Sequence, residues 1–233
     1  MGPMKLLLDG SLGGKTAFMN EPYEGTQNRG VNTFSQSELN EMISLCESAD
    51  MDFAIHAIGD GAVDMILDAP KVKRKHGIIH AQFLNNNQIE KCVQQNIVIY
   101  AQPIFLNSDI PIIEELVGSR YTESYLFKSM VNKGLSVSFS TDAPVEDTNP
   151  FENIEVSMTR EMLSGSKPFL IDEAFTFNEA IHAYTEESHK QVNVDDNGKL
   201  APGYKADFIV VELNNYLPLS KVLGTYISGT KVY

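Results

Sequence analysis

Cysteine is scarce in this 233-residue sequence: Cys46 and Cys92 are the two present, far apart and without metal-ligand spacing. That excludes a thiolate metal motif or a disulfide-stapled scaffold, and reduced, buried thiols fit a cytoplasmic protein. Positive charge is also in short supply. Lys and Arg number 18 against 31 Asp and Glu, a formal net charge of −13, with a pI near 4.7. Nucleic acid is therefore not an expected partner, because phosphate backbones demand a basic face. The basic cluster at 71–75 (KVKRK) reads as a solvated helix end. Long apolar runs are missing as well. None is long enough to span a bilayer, and no signal-peptide pattern is seen. No membrane partner and a cytoplasmic location are the expectations.

What remains is an ordinary globular balance, 42% apolar and 21% charged, enough for one large domain or two small ones. Short apolar runs, most of them with β-branched or aromatic residues, recur at Met4–Leu8, Asp52–His56, Gly77–His80, Ile97–Ala101 and Leu135–Ser140. They mostly do not alternate with polar residues, as expected of strands covered on both faces. Amphipathic stretches separate them, at 35–49, 61–69, 85–96 and 123–133. Strand and helix alternating at this spacing predict a repeated parallel α/β unit. The last fifth differs. After a helix expected over 176–191, Gly and Pro turns surround a β-prone run at 207–213, and a strand broken by Ser-Gly closes the chain.

Each expected parallel strand ends in chemically useful residues. The first carries Lys5 and then Asp9-Gly10-Ser11; the second ends in His56, the third in His80, and the last leads to Asp142. Ligands and catalytic groups in parallel α/β folds collect at the carboxyl ends of strands. A lone histidine there is more often a hydrogen-bonded core residue. Two imidazoles, a carboxylate and a lysine on separate strand ends point instead to a divalent-metal site. Asp9 and Asp60, each beside a glycine, are expected to shape loops. His76 reads as solvent-exposed on the basic helix end, and His182 and His189 as one face of the 176–191 helix. Gln82 and Gln102 follow strands and either face a substrate or cap the chain. Arg160, in a helix expected over 158–162, is a candidate for a substrate carboxylate.

Five blocks carry a resemblance: "MKLLLDGSLGGKTA", "FAIHAIGDGAVD", "IIHAQ", "SVSFSTDAPVEDTNPFENI" and "GKLAPGYKADFIVVE". In this order, across essentially the whole chain, they resemble the amidohydrolase superfamily, in the branch of metal-dependent hydrolases that includes N-substituted formamide deformylases. The resemblance implies an α/β fold with a partial (β/α)8 TIM-type barrel, about strands 4–8, over 1–195. Residues 196–233 would then be the remnant of a small β-sandwich domain. It implies Lys5 (often N-carboxylated in the family), His56, His80 and Asp142 as metal ligands, with Asp142 also catalytic and zinc the expected ion. Metal-activated water would attack a non-peptide C–N bond of a small amide or formamide. The family's His-x-His strand does not occur in this sequence, and Ile79 stands where relatives commonly place a glutamate. A truncated enzyme is therefore expected, as a homo-oligomer or with a missing N-terminal segment. The alternative is a catalytically silent scaffold or one chain of a split enzyme.

Overall fold

The apolar runs of the first hundred residues become parallel strands: β1 (Met4–Leu7), β2 (Phe53–Ala57), β3 (His76–His80) and β4 (Ile97–Ala101). The computed structural model describes residues 2–233. Sheet order follows sequence order, with β5 (Val137–Phe139) after β4. Parallel neighbours need a crossover, and the helices between the strands supply it. Ile55, Ile78 and Ile99 are register partners across three strands, and each is 0% exposed. Burying each such side chain contributes about 1.5–3 kcal/mol, so this row anchors the sheet.

Three helices return the chain: α1 (Gln36–Ser48), α2 (Asp60–Leu67) and α3 (Asn86–Gln94). α1 buries Leu39, Ile43 and Cys46, one stripe at helical spacing. Both α1 and α3 start with capping boxes, Ser35 with Glu38 and Asn85 with Gln88. The hydroxyl of Ser35 accepts from Glu38 N, and the Glu38 carboxylate accepts from Ser35 N at 2.8 Å. Replacing Ser35 with Ala is expected to cost about 1 kcal/mol. Urea unfolding should show this as a lower midpoint at unchanged slope.

The chain divides into two compact units. One holds the chain to Ala101 together with Ser108–Val137, the other Gln102–Asn107 with Ser138–Tyr233. Between Leu106 and Asn132 the helices are short: α4 (Leu106–Asp109), α5 (Ile113–Val117) and α6 (Phe127–Asn132). The helix expected from 123 therefore begins late, because Gly118–Glu123 forms a 3-10 turn instead. The second unit contains α7 (Pro150–Thr159), α8 (Phe177–Tyr184) and α9 (Glu186–Gln191). It also holds an antiparallel sheet in the order β6 (Phe208–Glu212), β7 (Lys221–Ile227), β8 (Thr230–Lys231). The Ser-Gly turn read from the sequence is there, with positive φ at Ser228 and Gly229, as tight hairpins require.

Three local expectations are corrected. The 176–191 helix is two helices, broken at Thr185 (φ −112°, ψ −89°). Side chains add bonds to the carbonyls around the break: Thr185 Oγ1 donates to Ile181 O, Ser188 Oγ to Tyr184 O, and His189 Nδ1 to Thr185 O, while Thr185 N and His189 N still donate to Ile181 O and Thr185 O. His182 gains a carboxylate the sequence did not make evident, Glu187 at 3.3 Å. His76 is no helix end; it opens β3, and α2 has already ended at Leu67. The helix around Arg160 stops at Thr159, with Arg160 itself in the left-handed region. Among the described residues, no helix is long and apolar enough to cross a membrane.

Candidate functional site

His56 and His80 meet at the carboxyl ends of β2 and β3. In the register, Ile79 pairs with His56 and His80 pairs with Ala57. A regular pleat would therefore send His56 and His80 to opposite faces. His80 departs from the pleat: its φ is 75°, and that of Ala81 is 49°. Left-handed backbone at a non-glycine costs about 1–3 kcal/mol and persists where the surroundings over-determine it. Here it accompanies an approach of His80 Nε2 to 2.9 Å from His56 Nδ1, with ring centroids 4.4 Å apart at 75°. His80 is 2% exposed.

The orientation of His56 is set from behind. Its Nε2 lies 3.0 Å from Gly10 O and 3.3 Å from Asp9 Oδ1. A carbonyl only accepts, so the proton resides on Nε2 and the Nδ1 lone pair faces His80, a tautomer inferred from the hydrogen-bond network. Burial lowers the His56 pKa most. The hydrogen bond to Asp9, the Gly10 carbonyl and the Asp9 charge together outweigh it, and the net shift is upward.

Asp9 has the loop role its Asp-Gly context suggested. Its carboxylate accepts from Phe18 N at 2.9 Å, Ile58 N at 3.1 Å and Gly59 N at 2.8 Å. It thereby ties β1, the 11–18 loop and the start of α2 behind His56. Gly59 is required at this junction, because a Cβ there would meet Phe18 O at 2.1 Å.

The remaining candidates fall in several places. Lys5 is exposed on β1, opposite Ala54 and hence on the His56 face of the sheet. Its charge works against protonation of His56. Asp142 belongs to the second unit; it has φ 55° in the turn before cis Ala143–Pro144. Gln82, 2% exposed, donates through Nε2 to the Tyr125 hydroxyl at 2.5 Å, and Tyr125 donates to Asp109 Oδ2. Burial pushes the Asp109 carboxyl upward, against the two hydrogen bonds. Gln102, in the second unit, donates to Ser140 Oγ at 2.8 Å. Each glutamine keeps a buried Oε1 without a protein partner. Arg160 is 1% exposed; its Nε donates to Phe169 O and its guanidinium lies 5.8 Å from the Phe169 ring. Tyr125 and Asp109 escaped the sequence reading, since neither lies at a strand end or in a motif.

Two ligands of a tetrahedral zinc ion, each about 2.0–2.1 Å from it, stand about 3.3–3.4 Å apart. The His56–His80 nitrogens, 2.9 Å apart and at hydrogen-bond distance, would separate by about half an ångström to share one such ion. Further donors are needed. Among the described residues, no group of three or more His, Cys, Asp or Glu is arranged to hold a metal.

The model of the Amidohydrolase family matches residues 1–233. A putative amidohydrolase of Bacillus subtilis (strain 168), YtcJ, is 33% identical over 248 residues, covering 100% of this chain and 47% of its own length. The N-substituted formamide deformylase of Arthrobacter pascens is 25% identical over 249 residues, covering 100% of this chain and 45% of its own. Among solved structures, an uncharacterized metal-dependent hydrolase from Pyrococcus furiosus is 33% identical with a TM-score of 0.79, over 88% of this chain and 43% of that one. The chain thus spans about half the length of the curated relatives it matches. The family model and the relatives match the chain along its whole sequence, and the chain belongs to the amidohydrolase family.

Proposed function

We propose that this chain carries part of the site of a metal-dependent hydrolase acting on non-peptide C–N bonds of amide or formamide type. The observation that carries the reading is the 2.9 Å approach of His80 Nε2 to His56 Nδ1, with the Nε2 proton of His56 held by Gly10 O. A hydrogen-bonded imidazole presenting its other nitrogen is the usual arrangement of a metal-binding histidine. In this reading His56 and His80 hold one divalent cation, zinc, together with Lys5 as its carbamate; Asp142 is a ligand only by the family resemblance. The cation, when bound, supplies Lewis-acid polarisation and acidifies water. The resemblance gives Asp142 the proton's path, from the attacking water to the departing nitrogen. Gln82, in the first unit, offers a buried carbonyl oxygen to a substrate N–H. The parallel strands correspond to about strands 4–8 of a (β/α)8 barrel, and 196–233 to strands of a small β domain.

A second reading is favoured by the exposed Leu7 on edge strand β1, 54% accessible. An uncovered apolar edge suits association with another chain, and the protein would then be a silent scaffold or half of a split enzyme, as a homo-oligomer or in a mixed assembly.

Zinc titration of the metal-free chain separates the two. Under the enzyme reading the chain binds zinc, and His56→Ala or His80→Ala weakens binding by more than ten-fold, with N-formyl and N-acyl amines turned over only by the parent. Zinc affinity unchanged in both variants would refute the assignment.

A further inference from the structure

His76 and His80 occupy opposite ends of β3, about 13 Å apart along the strand. At its end, His76 lines a cavity of about 150 Å³ with Ile43, Phe53, Ile66, Ile97, Lys71 and the amides Gln94 and Gln95. Phe53, His76 and Ile97 are register neighbours at the amino-terminal ends of β2, β3 and β4. The imidazole lies flat on the Phe53 ring, centroids 3.7 Å apart at 16°. Both of its ring nitrogens are buried, and neither has a hydrogen-bond partner.

Packing alone does not account for this residue. A neutral imidazole brings one donor and one acceptor, and each buried polar atom left unpaired costs about 1–3 kcal/mol. A phenylalanine would keep the stack without that cost. Ionisation gives no relief at neutral pH, because burial holds the His76 pKa down at about 4. A half-turn of the ring about χ2 keeps the stack and exchanges the nitrogens with ring carbons, so either edge can be presented to the cavity.

The surroundings choose the ligand's charge. Glu47 and Asp52 are the carboxylates felt by His76. Arg74 answers them, its backbone N donating to Glu47 at 3.4 Å and its Nε to Asp52 at 3.0 Å. With the carboxylates already met, and Lys71 the cation on the cavity wall, no strong field of either sign remains to hold an ion. Apolar side chains on one part of the wall, with Gln94, Gln95 and an uncharged imidazole as its neutral polar groups, suit an uncharged body that is partly apolar and carries a hydrogen-bonding group. The cavity's volume of about 150 Å³ is enough to admit a benzene-sized molecule.

We propose that the amino-terminal end of the β2–β3–β4 sheet is a binding site for a small uncharged ring bearing one hydroxyl, with His76 as its hydrogen-bond partner. The site lies at the end of the strands remote from His56 and His80, and it does not rest on the metal reading.

Phenol is the probe, titrated into the full chain with EDTA present and followed through the ring resonances of the five histidines. The expected result is a saturable shift of the His76 signals with a dissociation constant on the order of 1 mM, His56 and His80 being unmoved. His76→Phe should weaken phenol about five- to ten-fold, the worth of one hydrogen bond, while benzene binding stays the same. Ala69→Leu, which fills the cavity from a residue that lines it, should abolish both. Absence of a saturable shift at His76 overturns the proposal, as does full-strength phenol binding in Ala69→Leu. Should His76→Phe fail to fold, the parent titration and Ala69→Leu decide the matter.

Discussion

Asp9→Ala is expected to destabilise the chain by about 3–5 kcal/mol, the larger of the two strongest effects foreseen here. Asp9 is 5% exposed, and its carboxylate receives the backbone N–H groups of Phe18, Ile58 and Gly59. Hydrogen bonds to an ionised acceptor are about twice as strong as neutral ones, and a buried N–H left unpaired costs about 1–3 kcal/mol. Three such losses are not fully additive, because the 11–18 loop relaxes and water enters. Urea unfolding measures the stability, and the same protein titrated with zinc measures the second consequence. Without Asp9 beside Nε2, His56 loses part of its orientation, and metal affinity should fall about 10–100-fold. Asp9→Asn keeps one acceptor oxygen and should fall between parent and alanine variant. A loss below about 1 kcal/mol for Asp9→Ala would mean that water replaces the carboxylate, and that Asp9 does not hold the loop.

Asn153→Leu should have the next largest effect, about 3–4 kcal/mol, and it acts in the second unit. Asn153 is 0% exposed. Its Oδ1 accepts from Ile104 N at 2.6 Å, and its Nδ2 donates to Ser140 O at 2.9 Å and to the Tyr184 hydroxyl oxygen at 2.6 Å. One amide on α7 thus joins the 102–107 segment, the end of β5 and α8. Leucine has a similar volume, so little cavity forms, and the cost comes from the abandoned Ile104 N–H and Ser140 carbonyl. For a chain of this size the shift in melting temperature is about 10 °C. Tyr184→Phe removes one of the three bonds and should cost about 1 kcal/mol. If the two variants melt alike, the backbone groups find other partners and the amide is not the joint.

Much of this was legible in the sequence. The β1–β4 strands coincide with apolar runs to within a residue or two, because a parallel sheet covered on both faces demands nearly continuous apolar residues. The starts of α1 and α3 follow the amphipathic stretches read at 35–49 and 85–96, and the structure shows Ser35 and Asn85 capping N–H groups three residues on. The histidines at strand ends were readable because position along a strand is local.

The misreadings came where local signals lost to non-local ones. The 176–191 stretch looks like one helix by its periodicity, but the backbone leaves the helical region at Thr185, where hydroxyls and an imidazole share the carbonyls with the backbone. His76 sits beside a run of basic residues, yet its ring is claimed by Phe53, a partner 23 positions earlier.

The sequence by itself determined the strand–helix alternation, the helix starts, the amidohydrolase resemblance and the residues available as ligands. These depend on residue types at fixed short spacings. Only the tertiary structure decided that His80 leaves the pleat to face His56, that Asp9 and Gly10 fix the tautomer of His56, and that His76 closes a cavity at the far end of the same strand. Each joins positions about 20–50 residues apart, through register and left-handed turns that no local pattern encodes.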